Sequence, residues 1–520
     1  MPTAVPPLKT PQVHRADDNY PWTSDQGDGT FRNPVLQADY SDPDVIRVGE
    51  NFYLTASSFN CTPGLPILQS RDLVNWTIIN HAVKNLPHPR YGRVQPGCGI
   101  WAPALRFHAG KFWIFFAMPD EGIYVITATD PAGQWTEPHL AQAGKGLIDP
   151  CPLWDDDGQA YLVHAYAGSR AGIKHRLRVC PMAPDGTKLL GEGQIVFHEP
   201  TKHPTLEGPK FYKRAGWYYI LAPAGGVETG WQVALRSRQV YGPYEDRIVL
   251  AQGGTAVNGP HQGALVDTPG GEWWFAHFQD AGLYGRVPHL QPVRWQDDWP
   301  LMGRNGEPVA CHAKPNIAPA GIICAPATSD EFAMPRLGRQ WQWNANHADE
   351  WYSLAARPGW LRLYSQPAAD TLSLTPNLLL QKFPARRFTV ETLLDTASLA
   401  GGEEAGLVIA GRASASLAVC ACQGRNELRL VCGEAKRVIG PVLAGLIRLR
   451  VIVRDGGRCE FGYATAKDFV VLPDSFSATA GVWIGARVGV YAAQTGASGP
   501  HPTGGHADFD YFRFAPEIPA

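Results

Sequence analysis

Long apolar runs are missing from this chain of 520 residues: no stretch approaches 18 uninterrupted apolar positions, which excludes a membrane-spanning helix. Charge is sparse as well, at 18% of residues. The 46 Lys and Arg are balanced by 48 Asp and Glu, with no run of five or six like charges. Neither nucleic acid nor an anionic membrane is therefore an expected partner. The ten cysteines contain no CxxC pair, so reduced, mostly buried thiols are expected rather than a disulfide framework or a zinc site. The nearest approach to a zinc set is Cys420, Cys422 and Cys432. The first twenty residues, MPTAVPPLKTPQVHRADDNY, hold no apolar core of a secretory signal, and with the thiol pattern this leads us to expect a cytoplasmic protein. The G-x-S-x-G, P-loop and H-E-x-x-H motifs are absent, which leaves serine-hydrolase, nucleotide and zincin chemistry without support.

What the chain has in excess is turn formers and aromatics. Its 55 Gly and 45 Pro demand many turns, and 17 Trp, 18 Tyr and 20 Phe against five Met favour short strands over long helices. An internal repeat organises them. Gly followed three residues later by an aromatic occurs at Gly110 to Trp113, Gly158 to Tyr161, Gly216 to Tyr219 and Gly271 to Trp274, and Tyr53 follows a similar turn at Gly49. About ten residues before the first four aromatics stands Pro43, Pro103, Pro150 or Pro209; the fifth copy has His261-Gln262-Gly263 instead. Segments around Trp76, Trp135 and Tyr244 look like one corner used repeatedly. Five such units over residues 30–310 predict a five-bladed β-propeller.

Residues 311–328 are rich in Pro and Ala and are expected to link this domain to the next. Beyond them the period changes. Ile447, Leu449, Val451 and Val453 alternate with Arg448 and Arg450, and Asp455-Gly456-Gly457 turns the chain into a second strand. Further short alternating strands fill residues 329–520, which predicts a β-sandwich of jelly-roll type. The fold class is all-β.

The repeat also carries a functional argument. The first strand of each propeller blade lines the central channel, so the Pro-led starts of the units face one axis. Asp42 precedes Pro43, Asp149 precedes Pro150, and Glu207 lies two residues before Pro209. One Asp before Pro is an ordinary turn opener. Three acids in register, from three blades, instead predict a shared cavity in which neighbouring carboxyls hold a proton near neutral pH. Two carboxyls flanking a bond can hydrolyse a glycoside, Phe59 and Trp101 can stack on a sugar ring, and Arg286 can bind hydroxyls.

The strings Asn33-Pro34-Val35-Leu36, Asp39-Tyr40-Ser41-Asp42-Pro43-Asp44-Val45, Trp101-Ala102-Pro103, Ile148-Asp149-Pro150, Glu207-Gly208-Pro209-Lys210 and Asn258-Gly259-Pro260-His261-Gln262-Gly263 resemble glycoside hydrolase family 43, in the same order. The branch most resembled contains β-xylosidases and α-L-arabinofuranosidases with a C-terminal β-sandwich; Ser329-Asp330-Glu331-Phe332 and Ala507 to Phe512 resemble its outer strands. The resemblance implies an exo-acting, inverting hydrolase of terminal β-D-xylosyl or α-L-arabinofuranosyl units on oligosaccharides. It implies Asp42 as general base, Glu207 as general acid, Asp149 as the third carboxylate and Arg286 as a substrate contact. No cofactor is implied for the chemistry. His261 is a candidate calcium ligand, Asp330 and Asp508 are candidates for a second calcium, and association into homo-oligomers is common in such relatives. A retaining fructosyl hydrolase would show Arg-Asp-Pro where this chain has Ile148-Asp149-Pro150, and a merely binding propeller would have no use for all three acids. The Gly-rich loop from Tyr491 to His506 is expected to close the pocket over chain ends.

Overall fold

A computed structural model describes residues 22–317, 322–422, 425–495 and 504–517. The first domain consists of five four-stranded antiparallel sheets, each with its strands in sequence order. Blade 1 comprises Asp44–Val48, Asn51–Thr55, Gly64–Ser70 and Trp76–Val83; blade 2 runs from Trp101–His108 to His139–Ala143, and blade 3 from Leu147–Trp154 to Gln194–Phe197. Blade 4 runs from Lys210–Arg214 to Glu245–Ala251, and blade 5 from His261–Asp267 to Trp299–Met302.

The repeat has a simple physical origin. Gly49, Gly110, Gly158, Gly216 and Gly271 each turn the first strand into the second, with φ between 62° and 84°, a conformation that glycine adopts without strain. The aromatics that follow sit in apolar layers between blades. Tyr53 packs with Ile114 and Phe116 of blade 2, and Trp113 packs with Leu162 of blade 3. Trp274 packs with Phe52 and Leu54 of blade 1, so the last blade meets the first and the ring closes. The repeated corner is real as well: the Trp76 and Trp135 indoles and the Tyr244 hydroxyl each donate to a backbone carbonyl three or four residues earlier.

Closure is reinforced by the segment before blade 1. Thr30–Arg32 pairs with Cys311–Ala313, so the chain just beyond the fifth blade is hydrogen-bonded to the chain before the first. The Asn33 amide donates to Leu290 O and Val309 O, while its carbonyl accepts from Leu290 N.

The second domain is a sandwich of one eight-stranded and one seven-stranded sheet. Arg487–Gln494 lies inside the first sheet, between Leu379–Lys382 and Glu403–Ala410; His506–Ala515 lies inside the second, between Leu361–Tyr364 and Phe388–Asp395. Alternation puts Ile447, Leu449, Val451 and Val453 into the core between the sheets. Residues at the start of the sandwich run along blade 1: Trp343 and Thr62 exchange backbone hydrogen bonds, and Asn60 donates to Asn344 O at 2.8 Å. This attachment fixes the sandwich beside the channel mouth.

Candidate active site

The first strands of blades 1 to 4 neighbour one another in turn, and that of blade 5 neighbours that of blade 1. At the start of each, one residue turns through a left-handed conformation: Asp42 (φ 55°), Ala102 (34°), Asp149 (56°), Gly208 (60°) and Gln262 (32°). Four of the five precede proline, which normally confines its neighbour to extended backbone. Blades 2, 3 and 5 slip register at this place, as at a β-bulge, and the bulge re-aims the side chain. Two of the five are aspartates, 5% exposed each. Strain of this kind, about 1–3 kcal/mol per residue, persists where the surroundings enforce it and is concentrated at functional sites.

The surroundings of Asp42 are well defined. Its Oδ2 accepts from Ser57 Oγ at 2.5 Å and Ser41 Oγ at 2.7 Å, and its Oδ1 stands 3.4 Å from Arg286 Nη1. Ser57 Oγ in turn accepts from Ala102 N at 2.7 Å, which ties the carboxylate to blade 2. Asp149 Oδ2 accepts from Gly208 N at 2.7 Å, which draws the loop carrying Glu207 onto blade 3. Burial, then the charge of Glu207, pushes the Asp149 carboxyl well above the ordinary carboxylate range; Asp42 adds to this. Glu207 is the accessible member, its side chain 29% exposed, with Oε1 3.5 Å from His261 Nε2.

Beneath these groups lies an ionic layer in which Asp44 and Lys210 are buried and Arg106 is partly buried. Asp44 Oδ2 accepts from Leu105 N and Arg106 Nη1 at 2.7 and 2.8 Å and stands 3.5 Å from Lys210 Nζ. Arg106 Nη2 also reaches Cys151 Sγ at 2.8 Å. Blades 1 to 4 are thereby joined just below the acids.

Aromatics form the mouth. Phe59 and Trp101 meet edge to face at a centroid distance of 6.2 Å, and Arg170 covers the Trp101 ring at 5.1 Å. The sandwich adds a residue that sequence reasoning missed: Trp483, 46% exposed, lies 6.3 Å from Trp101 and 5.4 Å from the Arg286 guanidinium. Its segment is held by Asp39, whose carboxylate accepts from Gly485 N and Arg286 N, both at 2.9 Å. A Cβ at Gly485 would stand 2.7 Å from Tyr284 backbone, so glycine is required for this approach. The expected closing loop, from Tyr491 to His506, has residues 496–503 outside the described residues, and Tyr491 itself is buried within a strand. Trp483 brings the sandwich segment 478–485 to the mouth.

Residues 31–300 match the model of glycosyl hydrolases family 43, and residues 329–515 match the beta xylosidase C-terminal Concanavalin A-like domain. The chain belongs to glycosyl hydrolase family 43. A protein of Xylanibacter ruminicola is 41% identical over 476 residues, 89% of this chain and 86% of its own length. The non-reducing end alpha-L-arabinofuranosidase BoGH43B of Bacteroides ovatus is 28% identical over 93% of this chain and 94% of its own. The crystal structure of a xylan beta-1,4-xylosidase from Bacillus halodurans C-125 superposes with a TM-score of 0.81 at 25% identity, covering 93% of this chain and 99% of that one. This family 43 member is an exo-acting, inverting glycoside hydrolase.

The two candidate calcium positions differ in the donors they offer. Both ring nitrogens of His261 are buried without a hydrogen-bond partner, with Nε2 3.5 Å from Glu207 Oε1, so His261 would offer an ion one nitrogen donor; among the described residues no three His, Cys, Asp or Glu are arranged to hold a metal, and water would have to complete the set. A hard cation asks for six to eight oxygens. Asp508 is held instead by Arg362, at 2.8 and 3.0 Å, and by Arg357 at 3.2 Å; Asp330 accepts from Phe332 N and the Trp341 indole. Guanidinium groups supply at Asp508 the positive charge that an ion would bring. The candidate zinc thiols are likewise engaged elsewhere, Cys420 with Glu404 and Cys422 with Arg429.

Proposed function

We propose that this enzyme releases terminal β-D-xylosyl units from oligosaccharides, with α-L-arabinofuranosyl units as the second sugar, using Asp42 as general base and Glu207 as general acid. The observation that carries the reading is the meeting of Asp42, Asp149 and Glu207 from three blades, two of them on strained backbone. Asp42, oriented by Ser41, Ser57 and Arg286, takes a proton from water on one face of the sugar. Glu207, the accessible carboxyl, protonates the leaving oxygen on the other face, and inversion follows. Asp149 positions Glu207 through Gly208, and its carboxyl, pushed up by burial and by the charge of Glu207, holds a proton beside the acid.

The names of the Bacillus halodurans and Bacteroides ovatus relatives support the two sugars, and the full-length likeness to BoGH43B favours keeping the second. Phe59, Trp101, Arg286 and Trp483 are the proposed substrate contacts, and the overhang of Trp483 supports action at chain ends. All ten cysteines are free, which keeps a reducing compartment within the proposal. The test is hydrolysis of aryl β-D-xylopyranoside and aryl α-L-arabinofuranoside by wild type and by Asp42→Ala. Turnover abolished by the substitution supports the reading; turnover that survives it removes Asp42 from the mechanism.

A further inference from the structure

A second cavity, of about 190 Å³, lies where the sandwich meets the propeller, lined by Asn60, Pro96, Leu374, Leu380, Val482 and Ile484 among others. Arg487 also lines it, and Arg487 is anomalous. Its residue is 2% exposed, and Nε, Nη1 and Nη2 all lack a hydrogen-bond partner. No carboxylate among the described residues forms an ion pair with it.

The neighbourhood makes the charge more conspicuous. Arg487 pairs directly across the sheet with Lys382, and a second arginine, the exposed Arg412, lines the same cavity. Like charges directly opposite on a sheet repel. Burial first, then Arg487, pushes the Lys382 amine down to about 8. Asp39, the carboxylate that counters Lys382, already gives both oxygens to backbone amides. A buried guanidinium without a counter-charge is strongly unfavourable, and native proteins pair such groups.

We propose that this cavity is a binding site for a small organic carboxylate, held by Arg487. A planar carboxylate fits a guanidinium fork through two parallel hydrogen bonds, and the apolar walls suit a short alkyl tail. The site touches the catalytic mouth, because Gly481, Val482 and Ile484 line it and flank Trp483. An occupant would brace the segment that carries that tryptophan.

The test titrates sodium formate, acetate and propionate into the full chain in HEPES, with ionic strength held by the sodium salt of HEPES, followed by calorimetry and thermal melting. Acetate is expected to give a saturable heat and a rise in melting temperature of roughly 2–4 °C. Arg487→Met is expected to melt above wild type without added anion and to ignore acetate. Should that variant fail to fold, Ala410→Leu fills the cavity beside an intact Arg487 and is expected to abolish the acetate response. Absence of a saturable response in wild type overturns the proposal. So does a response retained by Arg487→Met or Ala410→Leu, or one given by chloride or phosphate but not by carboxylates.

Discussion

Replacing Asp149 by Asn isolates the part played by the third carboxylate. Asn tolerates the left-handed conformation at φ 56° better than most residues, and its amide oxygen can still accept from Gly208 N. The fold should survive. What is lost is the raised Asp149 carboxyl next to Glu207, and with it the proton that it holds there. General acid assistance contributes about 10²- to 10⁴-fold, or roughly 3–5 kcal/mol of barrier. The variant should lose about that factor in kcat/KM on a phenyl glycoside, whose leaving oxygen needs protonation. On a 2,4-dinitrophenyl glycoside, which leaves without help, the loss should stay below about tenfold. The alkaline limb of the pH–rate profile should also move to lower pH. Equal losses on both leaving groups, with an unmoved alkaline limb, would refute the reasoning.

The same residue makes a stability prediction. The folded chain holds the Asp149 proton above the ordinary pKa of 3.8, so above that pH the folded state binds more protons than the unfolded one. Stability is therefore full below 3.8 and declines as pH rises through the elevated folded value. Asp149→Asn should melt above wild type at pH 7 to 8, with the difference closing toward pH 4 in melting scans; a constant difference would contradict the assignment. Ser57→Ala removes a hydrogen bond to Asp42 and strands the Ala102 amide, so kcat/KM should fall about 10- to 100-fold and stability by about 1–3 kcal/mol, read by kinetics and urea titration. Trp483→Ala should raise KM about two- to thirtyfold with little change in melting, since the ring is half exposed; an unchanged KM would remove it from the site. Asp44→Asn leaves Arg106 and Lys210 buried without their carboxylate, and should cost about 3–5 kcal/mol in denaturant unfolding.

Legibility in the sequence followed from repetition. The blades could be read because each needs the same left-handed glycine turn and the same inter-blade aromatic, so five copies reinforced one another. The three acids were legible for the same reason: each occupies the residue at or beside the left-handed turn that begins a first strand. Trp483 gave no such signal. It is a single loop residue from another domain, brought to the mouth by Asp39 and Gly485 contacts across more than 440 positions of sequence. The pairing of Thr30–Arg32 with Cys311–Ala313 was hidden likewise, because a three-residue strand in a Pro- and Ala-rich stretch has too few positions to show a period. The pairing of Asp508 with Arg357 and Arg362 was hidden too, because three residues that lie far apart in the sequence meet only in the fold.

The central claim is that Asp42 and Glu207 act from opposite faces of the sugar in a single displacement. Proton NMR of the first-formed product of an aryl β-D-xylopyranoside tests it most directly. The α anomer of xylose should appear first and then mutarotate. Initial formation of the β anomer would mean retention through a covalent intermediate, and would contradict the assignment of Asp42 as a base acting through water.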